Sequence, residues 1–414
     1  MKKNVKNKKL IKKVINSITV ESNFSMFEVI IIVLISICFG IIVGYILTYT
    51  NSSINYIRKD SNLSDIVTTY KEINENYYKK VDKSKLSDAA ISAMMNSLGD
   101  SHTLYLDNKL NENFDETMNG QFVGIGITIK YEGEYNKVIK VNKGDPADKA
   151  GIKKDDLIIK IDGKDCKEIY GNEITKLIKG KVGSKVIITV KRNDKEKDIT
   201  VIRGKVDIQS VEGKIYNEDN HKIGYIRVSV FASNTYEQFE KTLTMFEKKK
   251  IDSLIIDLRN NPGGFINSSR DILSLFFDKN VVLYQTQKLN NSKKKIYSKT
   301  SIKRDYPIVI LGNKSSASSS EIVISCFKDN YKNSYFVGEK TYGKGSVQES
   351  QSLKSGNKIK YTVNKWYTSK GKSIEGDGIN PDYIVPLDDS FYDNPSTEND
   401  AQLNKAKEII KKNH

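Results

Sequence analysis

Cysteine and histidine are scarce in this chain of 414 residues, three of each. Three cysteines do not make a disulfide framework; Cys38 lies inside an apolar run, so Cys166 and Cys326 are the one pair left, and free thiols are expected. Of the histidines, His414 ends the chain, His221 sits in the polar, turn-like stretch Asn-Glu-Asp-Asn-His-Lys, and His102 stands in Gly-Asp-Ser-His-Thr. A His-rich zinc site or a histidine-based triad has few residues to draw on. Acidic residues are also outnumbered, 51 Asp plus Glu against 67 Lys plus Arg, for a net charge of +16. A balance this basic suggests nucleic acid, an anionic membrane or an acidic partner. Seven lysines, however, crowd the first thirteen residues (Lys2, Lys3, Lys6, Lys8, Lys9, Lys12 and Lys13). Much of the excess is a local tail rather than a binding face, and no nucleic-acid partner is expected. With 38% hydrophobic and 29% charged residues, wholesale disorder is excluded, and the length suggests two or three folded units.

One segment lacks charge altogether. From Val29 to Leu47 nineteen residues run without an ionisable charge, about the length that crosses the hydrocarbon of a bilayer. A buried core helix is the alternative. The lysines before this run outnumber the nearby Arg58 and Lys59 after it, so the positive-inside bias puts the N-terminus in the cytoplasm and the rest of the chain outside. The following Thr-Tyr-Thr-Asn-Ser-Ser has no clear small-x-small cleavage site, which reads as an uncleaved signal anchor.

Beyond the anchor the periodicity changes twice. Residues 62 to 110 carry helical spacing (Ile66, Tyr70, Ile73, Tyr77, then Ala89, Ala90, Ala93, Met94, Leu98) with Gly99 as a stop. From Phe122 to Val201 short β-branched runs alternate with Gly and Asp, interrupted by a helical turn at Pro146 to Gly151 and a short helix at Ile169 to Ile178. From Lys222 onward strands and helices alternate, which argues an α/β layer with largely buried strands, and the end of the chain reads as a charged helix or tail.

Several motifs carry chemistry, each beside a duller reading. Gly338-Glu-Lys-Thr-Tyr-Gly343-Lys344 fits the opening of a phosphate-binding loop, but Gly345 stands where a magnesium-binding hydroxyl is needed and strand-like sequence follows. Ser325-x-x-Lys328 has the spacing of penicillin-recognising acylases without their partner motifs, and reads as helix surface. The run Asn313-Lys-Ser-Ser-Ala-Ser-Ser-Ser-Glu321 is more informative: an apolar strand (Ile308 to Leu311) passes through small polar residues into a helix, so hydroxyls and free N–H groups meet at a helix start. Ser318-x-x-Glu321 is also a capping box, and locally capping is the favoured reading. A nucleophilic serine needs a base, and with histidine scarce a lysine serves if burial lowers it from about 10.4 toward neutrality. Lys344, flanked by Gly343 and Gly345, is the candidate, with Gln348 placed to orient it; the alternative is an exposed turn lysine. Asp257-Leu-Arg-Asn-Asn-Pro-Gly263-Gly264 ends a buried strand where N–H groups could face a ligand oxygen, though a tight strand-to-helix turn is favoured there.

In order along the chain these segments resemble the carboxyl-terminal processing proteases, PDZ-containing serine peptidases with a Ser-Lys dyad. Gly99-Asp-Ser-His-Thr-Leu-Tyr-Leu106 is similar to the family's segment before the PDZ domain; Phe122-Val-Gly124-Ile125-Gly126-Ile127 resembles its carboxylate-binding loop, and Gly144 to Gly151 with Asp156 to Gly163 its central signature. Ser316-Ala-Ser318-Ser319-Ser-Glu321 resembles the family's serine motif, with Ser319 in place of an alanine, and Gly343-Lys344-Gly-Ser-Val-Gln348 its lysine motif. The segment from Trp366 to Asp382 resembles the closing strand and turn.

The resemblance implies an α/β peptidase core (a crotonase/ClpP-like sandwich) with an inserted β-rich PDZ domain, an N-terminal helical segment and one transmembrane helix. The expected boundaries are a basic cytoplasmic tail over 1–28, the anchor over 29–49, linker and helical segment over 50–112, PDZ over 113–205, peptidase core over 206–392 and a charged tail over 393–414. It implies Ser318 as nucleophile, Lys344 as base, Gln348 as the lysine's partner, backbone N–H groups of Gly263, Gly264 and Ser319 as the oxyanion hole, and Gly124 to Ile127 as the peptide-binding loop. Substrates are then proteins or peptides with free C-termini, the membrane is met through the N-terminal helix, and a homodimer through the helical segment is implied; no metal, nucleotide or other cofactor is. The reading set against this one is a membrane-tethered PDZ adaptor with an inactive peptidase half.

Overall fold

The computed structural model describes residues 25–288, 291–301, 304–387, 391 and 398–412; the lysine-rich start and His414 lie outside the described residues. The chain divides into two units, one up to Ala90 and one from Ile91 onward.

In the first unit a helix of 34 residues spans Met26–Lys59. Its stretch Phe27–Ile46 has a mean hydropathy of 3.0 and none of it is buried, so by length and composition this one helix suffices to cross a bilayer. Helix Ser61–Asn76 starts where Asp60 Oδ1 accepts the Leu63 N–H, and helix Lys83–Asn96 follows.

The helical spacing expected over 62–110 thus gives two helices and then ends at Gly99 (φ +64°). Leu104–Leu106 is a strand, antiparallel to Lys358–Tyr367, and helix Asn108–Asn119 begins at the Asp107 cap. A three-residue strand is too short to leave a period in the sequence, so helical spacing on both sides concealed it.

The β-rich module has strands Ile127–Glu132, Tyr135–Val141, Leu157–Ile161, Lys185–Arg192 and Lys195–Ile202 side by side in that order, with helices Pro146–Ala150 and Asn172–Ile178. The second helix starts later than Ile169, after Gly171 at φ +60°. Its Ile174 and Ile178 pack with Ile125, Val138, Ile158 and Val186 in one apolar core. Ile127–Glu132 is an edge strand, its outer side pairing with no strand among the described residues. A two-stranded ribbon, Gln121–Gly124 with Gly204–Asp207, closes the module where the chain enters and leaves it.

The larger sheet of the remaining part orders its strands Val211–Glu218, His221–Val228, Ser253–Asp257, Ile308–Gly312, Ser334–Gly338 and Tyr383–Ile384; the first pair is antiparallel and the others parallel. Ser253–Asp257 and Ile308–Gly312 are buried at every residue because both faces are covered, which is why they read as unbroken apolar runs. Leu254, Ile256, Ile308 and Ile310 face helices Thr235–Lys248, Ile266–Ser274 and Ser319–Asn330, while Ile255, Val309 and Leu311 face the C-terminal helix Ala401–Lys412. Each such side chain removed from water contributes about 1.5–3 kcal/mol. A smaller sheet orders Leu104–Leu106, Lys358–Tyr367, Val282–Gln287 and Lys294–Tyr297, with Ser346–Ser352 also paired to Lys358–Tyr367. The parallel strands of the large sheet end at loops 258–265 and 313–318, and the strand that leads away from Lys344 belongs to the small sheet. The candidate residues gather between them.

Candidate active site

Ser318 sits at the start of helix Ser319–Asn330 with φ +54° and ψ −113°, a conformation that a non-glycine residue holds only when its surroundings impose it. The surroundings are a set of spent hydroxyls. Ser316 donates to Leu258 O at 2.8 Å, Ser319 to Gly264 O at 3.0 Å and Ser320 to Asn261 O at 2.9 Å. These three bonds tie the serine loop to the loop that follows strand Ser253–Asp257. Ser318 differs from these three: its oxygen takes part in the helix cap, and its O–H donates to no acceptor among the described residues.

The capping pair expected from Ser318-x-x-Glu321 is present, but Glu321 does more than cap. Its Oε2 accepts the N–H groups of Ser318 (2.8 Å) and Lys344 (2.9 Å), and its Oε1 accepts the Gly343 N–H (2.7 Å) and the Thr341 hydroxyl (2.6 Å). One fully buried carboxylate therefore holds the serine and the lysine loop in a single frame. Burial raises the Glu321 carboxyl, against the four donors, which favour its ionised form.

The lysine loop is fixed from its other side as well. Trp366 Nε1 donates to Lys344 O at 2.8 Å, and Gly376 N–H to Gly343 O at 2.9 Å. A Cβ on Gly343 (φ +90°) would meet Gly378 N at 2.7 Å, so the flanking glycine allows the close approach expected of it. The Lys344 amine has no carboxylate in ion-pair contact among the described residues, and burial first, then the charge of Lys360, pushes it down to about 8. The phosphate-loop reading fails here, because Lys344 leads into strand Ser346–Ser352 rather than a helix. Ser325 and Lys328 are likewise structural: the hydroxyl donates to Ile322 O, and the amine pairs with Asp382.

Ser318, Gly263, Gly264, Lys344 and Gln348 line one cleft of about 640 Å³, with Phe265 and Val347 among its apolar walls. Gln348 does not hydrogen-bond Lys344. Its Nε2 donates instead to Ser346 Oγ (2.9 Å) and Thr362 Oγ1 (3.1 Å), because Thr362 is its cross-strand partner. Thr362 Oγ1 in turn donates to Asp100 Oδ2, which also accepts from Thr103 Oγ1. The Gly-Asp-Ser-His-Thr segment thereby buttresses the cleft, a contact between residues 262 apart that no local pattern announces.

The glycine pair divides its roles. Gly263 lies against the serine loop, its would-be Cβ 2.9 Å from Ser318 Cβ and 2.8 Å from Ala317 O, yet its N–H donates to Asn261 Oδ1 at 2.9 Å. The N–H groups of Gly264 and Ser319 find no acceptor among the described residues. In the β-rich module Ile125 O and Gly126 O accept the Ala147 and Asn142 N–H groups, while the N–H groups of Ile125 and Gly126 are likewise unspent, beside the open edge that starts at Ile127. Gly124 ends the preceding strand.

Residues 222–385 match Peptidase family S41, residues 123–202 a PDZ domain, and residues 47–110 the N-terminal domain of the activating protease CtpB. A CtpA-like serine protease of Staphylococcus aureus (strain COL) is 36% identical over 348 residues, which cover 83% of this chain and 69% of that protein. One of Staphylococcus haemolyticus (strain JCSC1435) is 34% identical over 342 residues, covering 80% and 68%. Among solved structures, the photosystem II D1 C-terminal processing protease is 24% identical, with a TM-score of 0.44 over 77% of this chain and 92% of that one. The chain belongs to peptidase family S41, as a serine protease of the CtpA-like kind that carries a PDZ domain.

Proposed function

We propose that this chain is a membrane-anchored endopeptidase that captures free protein C-termini in its PDZ domain and cleaves peptide bonds with Ser318 and Lys344. The observation that carries the reading is that a hydroxyl whose proton has no acceptor and a depressed amine with no carboxylate in ion-pair contact, among the described residues, line the same cleft.

Neutral Lys344 takes the proton of Ser318 as its oxygen attacks the peptide carbonyl carbon. The oxyanion is received by the N–H groups of Gly264 and Ser319; Gly263, its amide spent on Asn261, supplies close approach instead. The ammonium of Lys344 then protonates the leaving amine, and water, deprotonated by the same amine, releases the acyl group. Gln348, with its NH2 anchored on Ser346 and Thr362, braces the cleft wall beside Lys344. In the PDZ domain a substrate strand adds to the edge at Ile127–Glu132, with its terminal carboxylate on the N–H groups of the Gly124 to Ile127 loop. The helix Met26–Lys59 anchors the chain with its lysine-rich end in the cytoplasm and the peptidase outside, a reading supported by the apolar stretch Phe27–Ile46 and the lysine bias before it. The core is read as a crotonase/ClpP-like sandwich, in keeping with a largely parallel sheet covered on both faces.

The test is cleavage of an unfolded protein by the full chain in detergent micelles, beside Ser318→Ala and Lys344→Ala. Cleavage only by the unmutated chain supports the dyad. An intact substrate in that sample favours an inactive PDZ adaptor, and cutting that persists in Ser318→Ala but not in Ser316→Ala or Ser320→Ala moves the nucleophile.

A further inference from the structure

The cleft holds a second lysine that this mechanism does not use. Along strand Lys358–Tyr367 side chains alternate, and Lys360 and Asn364 line the cleft with Lys344, while Thr362 between them supports Gln348. Lys360 pairs across the strands with Leu104 on one side and Ser350 on the other, so its position is set by two ladders. Like Lys344, its amine has no carboxylate in ion-pair contact among the described residues. Its neighbour Lys358 takes Asp115 instead.

We propose that Lys360 is a positioning residue that keeps Lys344 in its neutral, proton-accepting form by holding the one positive charge the cleft accommodates. Two amines in a water-poor cleft repel when both are protonated, so they titrate as a coupled pair rather than independently. The surroundings decide which one keeps the proton. Burial lowers the Lys360 amine too, but it stands 5.3 Å from the centre of the Phe114 ring, a face that attracts a cation and that Lys358 shares at 5.9 Å, and no such ring stands over Lys344 among the described residues. The charged and titratable groups facing Lys344 are Asp100 and His102 from the segment before the first small-sheet strand, Glu375 from the closing turn, Glu321 from the serine helix, and Lys360, and Glu349 of strand Ser346–Ser352 also lines the cleft. Asp100 favours the charged forms of both amines, and its carboxylate is spent on Thr103, Thr362 and the His102 N–H. Burial and the Lys360 charge act on Lys344 in the opposite sense and outweigh it. A neighbouring cation is a known means of freeing a lysine amine for chemistry.

This inference rests on Lys344 being the base, and the experiment separates the two ideas. The full chain in micelles cleaves a quenched fluorescent peptide between pH 6 and 10, and kcat/KM is followed for the unmutated chain, Lys360→Met, Lys360→Arg, Phe114→Leu and Lys344→Ala. Lys360→Met is expected to move the acid limb upward by about one pH unit, a loss of roughly tenfold on that limb, with the alkaline plateau retained. Lys360→Arg keeps the charge and the limb. Phe114→Leu, which leaves both amines in place, moves the limb in the same direction by less. An unmoved limb in Lys360→Met and Phe114→Leu with Lys344→Ala inactive, or an equal displacement in Lys360→Arg, overturns the pairing alone. Cleavage by Lys344→Ala with an unchanged limb overturns the dyad and the pairing with it.

Discussion

Substituting Glu321 by Gln tests the frame that joins nucleophile to base. The change keeps shape and removes one acceptor position. In the orientation that leaves the amide oxygen at the Oε2 position, the Ser318 and Lys344 N–H groups keep their acceptor. The new NH2 then faces the Thr341 hydroxyl, which can turn to accept, and the Gly343 N–H, which cannot. The minimum damage is one buried N–H left without a partner, about 1–3 kcal/mol. For a folded unit of this size that lowers the melting temperature by roughly 2–10 °C. The unpaired group is the Gly343 amide, next to the base, so the lysine loop shifts and kcat is expected to fall at least about tenfold, with KM changed far less. Glu321→Ala removes all four acceptor contacts and is expected to cost more on both counts. Thermal unfolding in micelles and initial rates on a quenched peptide read the two effects. A Glu321→Gln chain that melts and turns over like the unmutated one would refute the reasoning.

Two further outcomes follow from contacts around the site. Gly263→Ala places a Cβ 2.8–2.9 Å from Ala317 O and Ser318 Cβ at φ +100°, so peptide turnover is expected to fall by about a hundredfold or more, measured as kcat. Arg259, buried between Asp257 (2.6 Å) and Asp400 (2.8 Å), ties the C-terminal helix to the strand that leads into the glycine loop; Arg259→Met strands two carboxylates and is expected to cost about 3–5 kcal/mol, read from chemical unfolding.

The parts of this molecule that could be read from its sequence are those whose cause is local. The unbroken apolar run from Ile308 to Leu311 followed by small polar residues announces a buried parallel strand opening into a helix, and the glycines beside Lys344 announce a tight approach. The capping box at Ser318 and Glu321 was equally visible, but a cap and a nucleophile share one sequence, and the difference lies in where the neighbouring hydroxyls go. That depends on Leu258, Asn261 and Gly264, from a different loop. Glu321 could have been singled out only as a cap, since its other partners come from residues 341 to 344. Lys360 looks like any other lysine in a chain with so many, until strand alternation and the ladder to Leu104 turn it into the cleft. The expected Gln348 bond to Lys344 rests on a spacing of four residues and on resemblance, and the oxyanion role of Gly263 on resemblance; here the Gln348 amide donates to Thr362 and the Gly263 N–H to Asn261.

The central claim is that Ser318 is activated by an amine that loses its proton near pH 8 rather than near 10.4. The most direct measurement is the rate at which a fluorophosphonate probe labels Ser318 in the full chain as a function of pH. With Lys344 at about 8, neutral amine is the reactive form, so the rate is expected to rise about tenfold per unit below pH 8 and level off above it, with no labelling in Ser318→Ala. A labelling rate that is flat from pH 6 to 10, or one that climbs without levelling until about 10.4, would contradict the account.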